Sequence, residues 1–94
     1  MPDDINISAF IWYHADSNLQ TDLLAWLGQV KRATGIQGRL LVRKQPDKTT
    51  YMEIYDNVKP QLIDIIEDLA GQTPCFSDIQ RRCESFSSLS DISS

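Results

Sequence analysis

His14, the single histidine of this sequence, is the side chain best suited to move a proton near neutral pH. Tyr51, Glu53 or Arg43 could lie close to it in the folded chain, and all three fall in one short segment. One hypothesis is therefore an enzyme in which His14 moves a proton. The competing interpretation is that His14 is a solvated or capping residue at the end of a strand, the commoner role of a lone histidine.

Other catalytic and metal-binding patterns are absent from the sequence. It contains no nucleophile elbow, P-loop or dinucleotide-binding fingerprint. Cys75 and Cys83 are eight residues apart, which no zinc pattern needs, and a disulfide scaffold would use more cysteines. We expect two free, mostly buried thiols, and we predict no cofactor and no metal. The acidic set Asp64, Glu67 and Asp68 is interpreted as the solvated side of a helix.

Length and charge narrow the class of protein. The 94 residues predict one domain over 1–86, followed by a disordered Ser-rich tail over 87–94. The net charge of −4 argues against nucleic acid, which needs a concentrated positive field. The N-terminus "MPDDINISAF" is acidic where a signal peptide is basic, and its apolar run is too short to span a membrane. We therefore expect a cytoplasmic protein without membrane or nucleic-acid partners.

The order of predicted elements gives the fold class. The residue pattern predicts strands over 5–13, 37–44, 50–56 and 79–86, and helices over 17–34 and 58–70. Ser17 with Gln20 has capping-box spacing, Asn57 is a plausible cap of the second helix, and Gly35 and Gly71 can end the helices. The order predicts an α+β, ferredoxin-like βαββαβ fold, with strands ordered four–one–three–two and both helices on one face.

Strand alternation then separates a covered face from an open one. The helices are expected to cover a purely apolar set: Ile7, Ala9, Ile11, Leu40, Val42, Met52, Ile54 and Cys83. The open face is expected to carry Phe10, Trp12, Leu41, Arg43, Tyr51, Glu53, Tyr55, Arg82, Glu84 and Phe86. Five aromatic side chains there leave roughly 400–600 Å² of apolar surface, which normally marks a partner or a ligand. A face-to-face homodimer would cover it.

The charges of the central hairpin complete the predicted site. A turn centred near Asp47 places Arg43 opposite Tyr51 and Arg39 opposite Tyr55, so that Glu53 lies diagonal to both arginines. The cluster is either an ion pair that supports a barrel wall or a group that orients a ligand. The candidate ligand or interface residues are Phe10, Trp12, His14, Arg39, Arg43, Tyr51, Glu53, Tyr55 and Arg82.

Three stretches, "WYHAD", "GIQGRLLVRKQPDKTTYMEIYDNV" and "RRCESF", carry a family resemblance. Together they resemble an uncharacterised proteobacterial domain-of-unknown-function family with an aromatic first strand, a "GRLL" passage and a "WMEVY"-like third strand. Tyr51 stands where that family commonly has Trp, and Arg82 and Cys83 stand where it has His and Val. The family resembles the dimeric α+β barrel group, which includes antibiotic-biosynthesis monooxygenases and small isomerases. The resemblance implies a homodimer with a cavity and assigns no reaction.

Three functions are consistent with these observations. The first is a homodimeric structural or small-ligand-binding module. The second is a monooxygenase- or isomerase-like enzyme with its site in the barrel cavity. The third is RNA binding, with bases stacked on Phe10, Trp12, Tyr51 and Tyr55, which the acidic charge and Glu53 disfavour. Trp26 is interpreted as a core residue.

Overall fold

Four antiparallel strands and two helices form the described part of the chain, residues 6–87 of a computed structural model. The strands are β1 (Ile7–His14), β2 (Arg39–Gln45), β3 (Lys48–Val58) and β4 (Arg82–Phe86), and the helices are α1 (Gln20–Thr34) and α2 (Pro60–Gly71). Short 3-10 helices at Ser17–Leu19 and Pro74–Phe76 precede α1 and β4. The sheet order β2-β3-β1-β4 confirms the predicted ferredoxin-like topology.

The helix ends follow the sequence in part. Gly35 has a φ of 80° and donates its N–H to the Lys31 carbonyl, so it ends α1 as predicted. The predicted capping box is wrong, because Ser17 opens the 3-10 helix and no side chain caps either segment. The predicted cap at Asn57 is also wrong. Asn57 has a φ of 56° near a register shift between β1 and β3, and Lys59 occupies the cap position of α2.

The core lies between the helices and one face of the sheet. Its buried apolar members from the helices are Leu23, Trp26, Leu27, Val30, Ile63, Ile66 and Ala70. Those from the strands include Ala9, Ile11, Tyr13, Tyr51 and Tyr55. Trp26 is a core residue, as its helical spacing predicted. Three of these five strand residues are tyrosines, whose hydroxyl groups bring polar atoms into the core. The core is therefore less purely apolar than the sequence predicted.

The hairpin register differs from the prediction by one residue. A two-residue loop, Pro46 and Asp47, joins the strands, so that Gln45 pairs with Lys48 and Arg43 pairs with Thr50. Because side chains alternate along a strand, a shift of one residue exchanges the two faces of β3. The structure therefore corrects the open-face assignment of Tyr51, Glu53 and Tyr55, which lie under the helices. Met52 and Ile54 take their places on the open face.

The other three strands keep their predicted alternation, but Val42 of β2, which was expected beneath the helices, is 44% exposed. Ala9 and Ile11 of β1 are in the core, whereas Phe10 and Trp12 pair with Ile54 and Met52 on the open side. Both cysteines are without a disulfide, but Cys83 is exposed where a buried thiol was expected. No helix within residues 6–87 is long and apolar enough to cross a membrane. The predicted disordered tail lies outside the described residues, except for Ser87.

Candidate functional site

The open face of the sheet is organised in rows that run across the strands. Three rows follow from the pairing of neighbouring strands. Nearest the β2–β3 hairpin is a polar row of Arg43, Thr50 and His14. Next to it is an apolar row of Leu41, Met52 and Trp12, which ends at Arg82 on β4. The third row consists of Arg39, Ile54, Phe10 and Glu84.

Large apolar side chains on this face remain accessible to solvent. Leu41 is 48% exposed and Phe86 is 57% exposed. Phe86 contacts the edge of Phe10, with ring centroids 5.5 Å apart, and the Arg82 guanidinium lies over Trp12 at 4.8 Å. Aromatic and cation–π contacts thus order the side chains of β1 and β4 without covering them.

A concavity of about 580 Å³ occupies the hairpin end of the open face. It is lined by the polar row, the apolar row and neighbouring residues of the hairpin: Trp12, His14, Leu41, Val42, Arg43, Lys48, Thr50 and Met52. Its floor is therefore apolar, and one of its sides carries hydrogen-bonding groups. This volume falls within the range of small-molecule sites in proteins.

His14 is exposed at the edge of this concavity. Its Nδ1 lies 3.0 Å from the Thr50 hydroxyl, and its ring contacts the edge of Trp12 at 5.7 Å between centroids. Glu53 lies on the opposite face of the sheet, beneath α1. The predicted enzyme placed His14 beside Glu53, Tyr51 or Arg43. Of these three, the structure leaves only Arg43 on the face that carries His14.

A second cluster of polar groups is buried between the sheet and the helices. Its centre is Glu53, which has no exposed surface and accepts five hydrogen bonds. The Tyr13 hydroxyl donates at 2.5 Å, the Tyr55 hydroxyl at 2.7 Å and the Trp26 indole N–H at 3.1 Å. Arg81 donates twice, at 2.8 and 3.2 Å. A buried carboxylate requires such complete pairing, because an unpaired charge in the interior is costly.

Arg81 links this cluster to α2. Its guanidinium also donates to the Glu67 carboxylate at 2.8 and 3.2 Å, and it lies 4.5 Å from the centroid of Phe76. Burial by itself lowers the pKa of Arg81, but hydrogen bonds to Glu67 and Glu53 outweigh that effect and raise it. The guanidinium therefore stays charged between its two carboxylates. Glu67, predicted to be on the solvated side of α2, is instead half-buried and ion-paired.

The tyrosines of the interior are held in their neutral form. Burial, followed by the charge and the hydrogen bond of Glu53, raises the pKa of Tyr13 and of Tyr55 far above 10.0. Tyr51 donates its hydroxyl to the Asp16 carbonyl at 3.0 Å, and burial together with the Asp16 charge raises its pKa. All three hydroxyls therefore act as hydrogen-bond donors.

The structure thus divides the predicted site into two groups. The open face brings together Phe10, Trp12, His14, Arg39, Arg43 and Arg82. Tyr51, Glu53 and Tyr55 belong to the covered face, so the stacking platform of four aromatics predicted for RNA is not assembled. The predicted pairing of Glu53 with Arg39 and Arg43 is also wrong. Arg39 instead forms an exposed ion pair with Asp56 at 3.4 Å.

Sequence reasoning missed Arg81 and Tyr13 as members of the buried cluster. Tyr13 continues the alternation of Ala9 and Ile11, so the strand pattern contained a signal for it. Arg81 lies just before β4, in a segment without regular secondary structure. No periodicity therefore indicated which of the adjacent residues Arg81 and Arg82 faces the interior.

Comparison with known proteins identifies the fold and no activity. No protein-family model matches the chain, and no curated protein matches it. Among solved structures, the chain is similar to the de novo designed protein Foldit4, with a TM-score of 0.70, 10% identity, and coverage of 88% of this chain and 98% of that one. It is also similar to the de novo designed protein Ferredog-Diesel, with a TM-score of 0.52, 13% identity, and coverage of 84% and 83%. At such low identity, these similarities establish only the ferredoxin-like α+β fold of the chain.

Proposed function

We propose that this protein is a homodimeric small-ligand-binding module in which the open sheet faces of two copies pack on each other. The observation that carries the proposal is the row of Leu41, Met52 and Trp12, an apolar surface that neither helix covers. Soluble monomers rarely leave a large continuous apolar surface in water. The resemblance of the sequence to the dimeric α+β barrel group also favours this assembly.

The size of the open face suits a specific interface. Four strands about 4.8 Å apart and about 26 Å long, as for the eight residues of β1, give roughly 500 Å² of sheet for each copy. Two copies would then bury roughly 1,000 Å², the value that a specific interface should reach. Side chains that protrude from the sheet, such as Leu41 and Phe86, add to this area.

The charges of the open face favour self-association in one orientation. The third row begins with Arg39 on one edge strand and ends with Glu84 on the other, with Ile54 and Phe10 between them. A two-fold axis parallel to the strands places β2 of one copy over β4 of the second. Each Arg39 then meets Glu84 of the other copy, and the apolar centres face each other across the concavity.

Light scattering at micromolar concentrations tests the dimer. We expect a mass of twice 10.7 kDa for the protein. Leu41→Lys should weaken association at least about 100-fold, because it places an unpaired charge in the interface. The matched control is Leu24→Lys, which changes a residue of similar exposure, 54%, on α1. A monomeric protein across this concentration range, or equal effects of the two variants, would contradict the proposal.

A charge exchange tests the orientation of the two copies. Arg39→Glu should weaken the dimer, because it places two carboxylates against each other. Adding Glu84→Arg to the same chain should restore association, since the pair is re-formed with its charges exchanged. If the double variant dimerises as weakly as Arg39→Glu alone, this two-fold axis is excluded. The use of the open face as the interface is tested separately by Leu41→Lys.

A further inference from the structure

We infer that the concavity at the hairpin end of the open face binds an organic anion with a flat apolar body, of the class of aromatic carboxylates. The inference rests on the proposed function for its roof, which the second copy supplies. The floor and the charged side of the site belong to a single chain. They consist of the apolar and polar rows described above, together with Lys48.

The floor selects a flat apolar body. Leu41, Met52 and Trp12 are direct cross-strand neighbours, so their side chains form one continuous surface over three strands. An indole beside a thioether offers broad contact to a planar ring, and both side chains pack well on aromatic groups. A ligand without an apolar body would leave this surface wet.

The polar side of the concavity selects a negative charge. Arg43 and Lys48 both line it, and neither forms an ion pair with any of residues 6–87. None of the described residues that line the concavity is acidic. This concentration of positive charge stands out in a chain whose net charge is −4. By contrast, Arg39 and Arg81 have carboxylate partners of their own.

The polar row also offers directional hydrogen bonds. His14 and Thr50 are coupled through Nδ1 and the hydroxyl at 3.0 Å. When Thr50 donates to Nδ1, the proton of the ring is on Nε2, which is then a donor available to a ligand. A carboxylate placed between Arg43 and His14 would receive a donor from each. Its ring would extend over Met52 onto the apolar row, because the two rows are adjacent along the strands.

Calorimetric titration with 2-naphthoate and its neutral analogue 2-naphthamide tests both features of the ligand. We expect 2-naphthoate to bind at least about tenfold more tightly than the amide, because only the acid carries a charge. The affinity for the acid should fall as salt is added. Inorganic phosphate, which has the charge without the ring, should compete only weakly. Equal affinities for the acid and the amide would overturn the inference, as would phosphate competing as strongly as the acid.

Two neighbouring variants on β2 locate the site. Arg43→Gln should weaken 2-naphthoate about fivefold or more, because it removes the charged donor of the polar row. Lys44→Gln is the matched control, since Lys44 is exposed like Arg43 but does not line the concavity. It should leave the affinity within about twofold. Equal effects of the two variants would mean that the anion binds elsewhere.

The oligomeric state separates this inference from the proposed function. A dimer that binds neither naphthalene compound would overturn the inference and leave the dimer intact. A monomer that binds the acid selectively, with loss in Arg43→Gln, would support the anion site and refute the dimer. Circular dichroism of Arg43→Gln checks that the exposed substitution has not altered the fold.

Discussion

Glu53 offers the sharpest test of the buried cluster, through the substitution Glu53→Gln. The amide keeps the shape of the side chain but replaces one acceptor oxygen with a donor. If the amide nitrogen replaces Oε2, it faces the Tyr13 hydroxyl, which can turn to accept, and the Arg81 Nη1, which cannot. If it replaces Oε1, it faces donors from Trp26, Tyr55 and Arg81. In either orientation the amide NH₂ group faces an N–H of the Arg81 guanidinium, so two donors oppose each other in the interior.

The expected cost follows from the charge that loses its partner. Breaking a buried ion pair by removing one member costs about 3–5 kcal/mol. Arg81 keeps its contacts with Glu67, so the lower value, about 3 kcal/mol, is expected here. A chain of 94 residues has a total stability of about 5–14 kcal/mol. Glu53→Gln should therefore remove a fifth or more of the free energy of unfolding, without exposing new surface.

Urea unfolding followed by tryptophan fluorescence measures this loss. The matched control is Asp56→Asn, which makes the same chemical change on the same strand. Asp56 pairs with Arg39 at 3.4 Å, and the two side chains are 57% and 63% exposed, so this variant should cost less than about 1 kcal/mol. Because a dimer would add stability that depends on concentration, all variants are compared at one protein concentration.

The midpoint is the quantity that decides the test. With a slope of about 1.5 kcal/mol per molar urea, Glu53→Gln should lower the midpoint by about 2 M. Asp56→Asn should lower it by less than about 0.7 M on the same scale. If the two variants unfold within 0.5 M of each other, on the order of 1 kcal/mol, the cluster does not hold β3 as described.

Two further predictions concern the tyrosines and a close backbone approach. Because the pKa of Tyr13 and of Tyr55 lies above 10.0 in the folded protein, the folded state keeps protons that the unfolded chain releases. This contribution to the free energy of unfolding is intact below pH 10 and is lost above it, by up to about 1.4 kcal/mol per pH unit for each tyrosine. Urea unfolding between pH 9 and 11 measures the loss. Tyr55→Phe should reduce the slope of the free energy of unfolding against pH. Gly38→Ala should destabilise by about 1–3 kcal/mol in urea unfolding, because its Cβ would lie 2.5 Å from the Tyr55 ring. Gly28→Ala, whose Cβ would meet its nearest neighbour at 3.6 Å, should be neutral or stabilising, and equal effects at the two glycines would contradict the packing described.

The topology could be predicted from the sequence because it depends on the order of elements and on short connections. The β-branched and aromatic residues around Ile11 are a strong local signal for a strand, and the helical spacing of apolar residues around Trp26 is one for a helix. A tight hairpin and two helical crossovers then leave few possible sheet orders. The first residue of each helix was harder to predict, because Ser17 and Asn57 are residue types that commonly cap helices. Ser17 instead begins a 3-10 helix, and Asn57 lies near the register shift between β1 and β3.

The register of β3 could not be derived from hydrophobicity. Met52 and Ile54 are more apolar than Tyr51 and Glu53, and alternation therefore predicted that the former face the core. The two-residue loop at Pro46 and Asp47 sets the opposite arrangement. What makes it stable is a set of partners from distant parts of the chain, and residue types alone do not show which of them will meet.

The buried cluster and the open apolar face are two results of that one register. With Gln45 paired to Lys48, Glu53 lies beneath Trp26 and reaches Arg81, while Gly38 leaves room for the ring of Tyr55. The same register turns Met52 and Ile54 of β3 to the open face, where Met52 lies between Leu41 and Trp12 and Ile54 lies between Arg39 and Phe10. A shift of the register by one residue would bury those aliphatic groups. It would also separate the Glu53 carboxylate from the Arg81 guanidinium and leave both without this partner. The polar interior therefore selects the register, and the surface that we propose as the dimer interface is apolar because of that selection.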